Sequence, residues 1–252
     1  PEICESTASI GNPIVTSSLF GMHGAHSDVG RGSGDTTWAV NDYADVRVVA
    51  IRSGDNFDSE DVKFQLTSAL GGIPTLTSDI FKNVYNDNKW NFAVRIVNDK
   101  YPLGDLITGV SASDSSYRIE FYGVNQLLDL SLEEFHLSDT IGQQDAINLL
   151  RSNKRIFAGA HRTNFTGSVL QLSDIKLSSI KYWSKYLPDE TIRAHARDPE
   201  NYGTLFPHRN AFLTQKSVTG SYIPEIETLA LNWNFNNLTG SDPGGMFVVH
   251  RR

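Results

Sequence analysis

Cysteine is nearly absent from this chain: Cys4 is the only one in 252 residues. No intramolecular disulfide can form, and a core of this size does not need one. Long apolar runs are missing too. No stretch approaches the ~18 uncharged apolar residues of a helical membrane span, so no membrane insertion is expected. There is no run of five or more Lys/Arg, and the formal net charge is −7. General affinity for nucleic acid or anionic lipid is therefore not expected. Against these absences, 39% hydrophobic and 10% aromatic residues supply a packed core and exclude intrinsic disorder. The chain opens at Pro1 without a leader pattern and stops at "FVVHRR", which reads as a piece of something longer.

Helix signals are few, whereas alternation is common. "DVRVVAIR", "VKFQL", "KWNFAVRIV", "YRIEFYG" and "NQLLDLSL" place apolar residues two apart, as half-buried strands do. Trp90, Phe92, Val94 and Ile96 form one such set, and Tyr117, Ile119 and Phe121 another. "GVN" at 123–125 reads as the turn after the latter, and "DAINLLRS" as a short helix. "GMHGAHSDVGRGSG" has too many glycines for the interior of an element. Roughly nine to eleven β-type runs emerge with one or two brief helices, and the crossover helices of a parallel sheet are missing. The fold class is all-β: an antiparallel β-sandwich or jelly roll.

One stretch, "VLQLSDIKLSSIKYWSKYLPDETIRAHARDP", carries the most fold information. Its two-residue apolar spacing slips to three at Ser173-Asp174 and at Ser178-Ser179. Bulges in a curved strand would restore the facing, and separate short strands are the other reading. Pro188 suits a first helical position, and Asp189 and Glu190 place negative charge at the positive end of the helix dipole. Ile192 and Ala196 give a narrow apolar stripe for resting on the sandwich edge. Asp198-Pro199 ends the helix.

"YWSKYLPDETIRAH" resembles the strand–Trp–Leu–Pro-Asp-Glu–Ile signature near the end of laminin G-like domains in the concanavalin A-like lectin/glucanase superfamily. "NDNKWNFAVRI", "YRIEFYGVN" and "RIFAGAHRTNFTGSVLQLSDIKL" resemble earlier segments of that family, in the family's order. The sequence departs from it where an Asp before Gly123 is usual, and at Phe157-Ala158-Gly159, where a glycine pair is common. The resemblance implies a concanavalin A-like jelly roll over residues 38–200. A flexible segment precedes it at 1–37, and 201–252 form either its return strand or the start of a following domain. By analogy with phage and viral structural proteins that carry such domains in series, the resemblance also suggests a virion component, located outside cells or on a particle.

Chemistry-bearing groups are sparse. The family's glucanases carry a Glu-x-Asp-x-Glu run, with a catalytic carboxylate pair ~5–5.5 Å apart. "PEIETLAL" offers Glu225 and Glu227 on one strand face, but Leu229 and Ala230 stand where the third acid would fall. Glu133 and Glu134, being adjacent, point to opposite faces of a strand. Asp55, Asp58, Glu60 and Asp61 form an acidic loop whose oxygens would suit calcium, without the spacing of a twelve-residue calcium loop. His23, His26 and Asp28 cluster in sequence without a companion ligand set. No cofactor is implied beyond that calcium.

In laminin G-like domains ligands sit on rim loops, and the matching loop supplies His161, Arg162, Thr163 and Asn164, side chains that suit sugar hydroxyls or carboxylates. The expectation is a non-catalytic carbohydrate- or surface-binding, or structural, module of a larger protein. Its partners would be a glycan, another protein, or further copies in a particle. The alternatives are a glycoside hydrolase on the same scaffold and a purely architectural domain.

Overall fold

The computed structural model describes residues 2–3, 15–24, 44–53, 59–69, 72–86, 89–99, 116–128, 130–151, 154–162, 169–171, 173, 175–198, 216–217, 220–221, 228–235, 238–241 and 247–249. The strands begin with β1 (Glu2–Ile3), β2 (Thr16–Gly24), β3 (Val46–Arg52), β4 (Val62–Thr67), β5 (Leu76–Phe81) and β6 (Trp90–Asn98). Next come β7 (Tyr117–Leu127), β8 (Leu130–Ile141), helix α1 (Gln143–Arg151), β9 (Lys154–Ala158), β10 (His161–Arg162) and β11 (Val169–Gln171). The chain continues through β12 (Ile175–Lys176), β13 (Ser179–Trp183), helix α2 (Asp189–Arg197), β14 (Lys216–Ser217), β15 (Gly220–Ser221), β16 (Leu229–Asn234), β17 (Leu238–Ser241) and β18 (Phe247–Val249).

Two antiparallel sheets form the body: a five-stranded one ordered β5-β4-β3-β2-β9 and a three-stranded one ordered β6-β7-β8. Their facing residues make the core. Val46, Val48, Ala50, Val62, Phe64 and Leu66 come from the first sheet, and Trp90, Phe92, Ile119 and Phe121 from the second. Phe64 sits 4.8 Å from Trp90 and 4.7 Å from Phe92, and Phe81 and Phe135 close the ring cluster from β5 and β8. Burial of this kind contributes ~1.5–3 kcal/mol for each large side chain. Ala146 and Leu149 of α1 plug one end of the core. The chain is thus an all-β antiparallel sandwich with two short helices, the alternating runs having become β3, β4, β6, β7 and β8.

Four local expectations change. Gly21–Gly24, the start of the glycine-bearing stretch expected to lie outside any element, is the end of β2 (Thr16–Gly24), a strand between β3 and β9. Its Gly21 is needed there, because a Cβ would collide with the Phe157 ring. Gly123-Val124-Asn125 is no turn. β7 runs through it to Leu127, and Gly123 makes room for Phe135 across the ladder. The slips at Ser173-Asp174 and Ser178-Ser179 separate the three short strands β11, β12 and β13 rather than bending one. Pro188 is the N-cap of α2, extended at φ −70° and ψ 165°, and the helix lies on the outer face of the three-stranded sheet, not on an edge. There Ile192, Ala196 and Leu187 cover Tyr122 and Val124, which explains why β7 is buried on both faces.

Candidate functional site

The outer face of the three-stranded sheet concentrates the polar chemistry of the described residues. Arg95 on β6 and Glu120 on β7 are register partners, so both side chains rise on the same face. Both are buried, at 5% and 2% side-chain exposure, and Arg95 Nη2 lies 3.0 Å from Glu120 Oε2. Arg95 Nη1 donates to the Leu187 carbonyl at 2.9 Å and stands 2.6 Å from Asp189 Oδ1. The connecting loop and the first turn of α2 are thereby pinned to the sheet.

Glu120 also accepts from Arg118 Nε and from the Tyr186 hydroxyl, each at 3.0 Å. His136 on β8 lies 3.5 Å from Glu120 and 3.6 Å from Asp189. One turn along α2, Arg193 forms a two-pronged pair with Glu134, both contacts at 3.0 Å, and donates to the Tyr122 hydroxyl at 3.1 Å. Tyr122 in turn donates to Glu134 at 2.9 Å.

The electrostatics follow from these contacts. The Arg193 hydrogen bonds, joined by the one from Tyr122, hold the Glu134 carboxyl below the usual carboxylate range. Burial, reinforced by the bond to Glu134, pushes the Tyr122 phenol up to about 12. Burial also raises Tyr186 and Tyr182. Glu134 is thus held ionised by Arg193 and does not store a proton for transfer at neutral pH.

Beside this clamp, where β6, the start of β13 and the last turn of α2 meet, a shallow hollow of about 20 Å³, room for about one water, is lined by Lys89, Trp90, Asn91, Ser178, Ser179, His195 and Ala196. Lys181 Nζ lies 2.6 Å from His195 Nε2. An ammonium only donates, so His195 Nε2 accepts and its proton resides on Nδ1. Asn91 Nδ2 reaches the Ile192 carbonyl at 3.4 Å, tying the hollow's floor to the helix. Amide, hydroxyl and imidazole groups on rigid elements are a donor and acceptor set suited to polar ligands.

Of the residues singled out from the sequence, the fold brings His23 and His161 together. His161 is buried at 1% exposure, its Nε2 3.0 Å from His23 Nε2 and its ring stacked 4.5 Å from Phe157. Between two imidazole nitrogens one must carry the hydrogen and the other accept it. Arg162 lies on β10, while Thr163 and Asn164 lie outside the described residues, as do Asp55, Asp58, Glu225, Glu227, His26 and Asp28. Glu60 is exposed, and Asp61 Oδ1 accepts from the Asn83 backbone at 3.3 Å. Among the described residues no group of three or more His, Cys, Asp and Glu converges as a metal site.

Arg95, Glu120, His136 and Arg193 escaped the sequence reading, and Asp189 entered it only as a charge at the helix start. A faint signal existed: Arg95 interrupts "FAVRIV" and Glu120 stands between Ile119 and Phe121, charges inside otherwise apolar strands. Only the register shows that they meet. No protein family, curated protein or solved structure matches this chain.

Proposed function

We propose that this sandwich is a non-catalytic module, concanavalin A-like in kind, that works by contact with carbohydrate or another macromolecular surface as part of a larger protein. The observation that carries the reading is the polar hollow at Asn91, Ser178, Ser179 and His195, built on elements that the Arg95 and Arg193 pairs hold rigid. Pre-organised polar groups bind without a large ordering cost. The neighbouring carboxylates support the non-catalytic part: Glu120 and Glu134 are engaged by arginine and tyrosine, whereas a glycosidase pair needs one carboxyl protonated and one free.

A glycan array with and without calcium tests the reading. Binding that Asn91→Ala and Ser179→Tyr both weaken by about tenfold or more is expected, since each removes or blocks a polar contact. Polysaccharide hydrolysis lost in Glu225→Gln or Glu227→Gln would replace the reading with the enzyme one.

A further inference from the structure

The end of the β7–β8 hairpin breaks two rules at once. Leu128, at its tip, has a positive φ of 52° and is 86% exposed. A hairpin turn that needs φ > 0 ordinarily takes Asn, Asp or Gly, and a branched apolar side chain there is strained as well as wet. Leu127, Leu130 and Leu132 beside it are 60%, 66% and 49% exposed. Among the described residues nothing covers these side chains, which is how a contact site announces itself.

β8 is also the longest strand and an edge, paired only with β7 among the described residues. Natural sheets blunt such edges with Pro, Lys or short strands. Leu130–Ile141 contains no Pro, Lys or Arg, and its register shift sits beside the tip, leaving Glu133–Ile141 regular.

We propose that β8 is the pairing edge for a second copy of this chain, with the leucine tips covered in the same contact. Charge complementarity favours a like strand in antiparallel register about Phe135. Glu134 then faces the second copy's His136, Glu133 faces Leu137, Leu132 faces Ser138, Ser131 faces Asp139 and Leu130 faces Thr140. No two like charges are opposed. An anionic lipid surface is disfavoured by Glu133 and by the net charge of −7. The four leucines offer on the order of 400 Å², about half of one partner's share in a standard interface, so the dimer is weak and becomes firm only when many copies are held together. This pairing stands apart from the glycan contact, which a monomer would still make.

Sedimentation velocity of the chain between about 1 and 200 µM tests it. Concentration-dependent dimer is expected. Leu130→Lys and Ser138→Pro should each weaken association about tenfold or more, while circular dichroism of the monomer stays unchanged. Leu128→Gly, which relieves the turn, should also weaken association while raising the melting temperature. A protein that is monomeric at the highest concentration, or one whose association ignores all three substitutions, overturns the proposal. So does association that survives Leu130→Lys but is lost on substituting another face.

Discussion

Arg95 shows what a single charged residue in a β-strand must satisfy. Its guanidinium lies within 3.0 Å of Glu120 and of Asp189, and water is removed from Arg95 and Glu120 while Asp189 stays 30% exposed. Moving such charges out of water costs several kcal/mol each, and their attraction offsets this only while every partner remains. The Nη1 group serves the Leu187 carbonyl and the Asp189 carboxylate together, so loss of Arg95 would free the loop as well as the charges. Arg95→Met is expected to destabilise the protein by ~3–5 kcal/mol, because Glu120 stays buried with its remaining partners, Arg118, His136 and the Tyr186 hydroxyl, all on its more exposed side. Arg118→Met, on the wetter side of the same carboxylate, should cost less than ~1 kcal/mol. Urea unfolding midpoints compare the two directly, and equal losses would show that burial is not what makes Arg95 matter.

At the scale of elements, alternation made most of the sandwich legible. Trp90, Phe92, Ile119 and Phe121 repeat every two residues because one face of each strand meets the opposite sheet. The same rule explains the misreading at Gly123. A turn residue and a glycine under Phe135 look alike until the partner strand is known. The clamp was hidden for a related reason. Arg95, Glu120 and Glu134 belong to three strands, and register, not spacing within any one strand, brings them beneath α2. Of the helix, sequence disclosed the cap region and the Ile192–Ala196 stripe, but not the face it covers.

That docking should be pH-dependent through Glu134. Its folded pKa is lowered, chiefly by Arg193, so the group contributes stability above the unfolded carboxyl value. The contribution is fully present at neutral pH and is lost as pH falls below the unfolded value of 4.5 and through the lower folded value. Because Glu134 is 43% exposed, solvent screens the pair and the effect is modest. Glu134→Gln should therefore be less stable than the parent at pH 7 and converge with it near pH 3. Amide exchange across Asp189–Arg197 reads the same convergence locally. A gap that persists unchanged in acid would assign the loss to packing rather than charge.

Among the described residues, α2 adds a third layer to the five-stranded and three-stranded sheets. The third layer has a consequence at the alkaline end. Tyr122 lies between the sheet and the helix, and its phenol is raised to about 12 by burial first and then by the bond to Glu134. Tyr186, bonded to Glu120, and Tyr182, on β13, are raised mainly by burial. A phenol raised on folding contributes its full stability below its unfolded value of 10.0, and loses it as pH climbs toward the folded value. Tyr122 steepens the fall by up to ~1.4 kcal/mol per pH unit in that window, and Tyr186, 37% exposed, adds less because solvent screens it. Stability should thus be flat up to about pH 10 and fall steeply from there to about pH 12.

Absorbance at the phenolate band should rise in two phases among the nine tyrosines: exposed ones near pH 10, and a late set that ionises with the loss of near-ultraviolet dichroism. Tyr122→Phe should flatten the fall in stability between pH 10 and 12, although it also removes a hydrogen bond at neutral pH. If all the tyrosines ionise together near pH 10 with the fold intact, Tyr122 is reached by water and α2 does not seal the sheet.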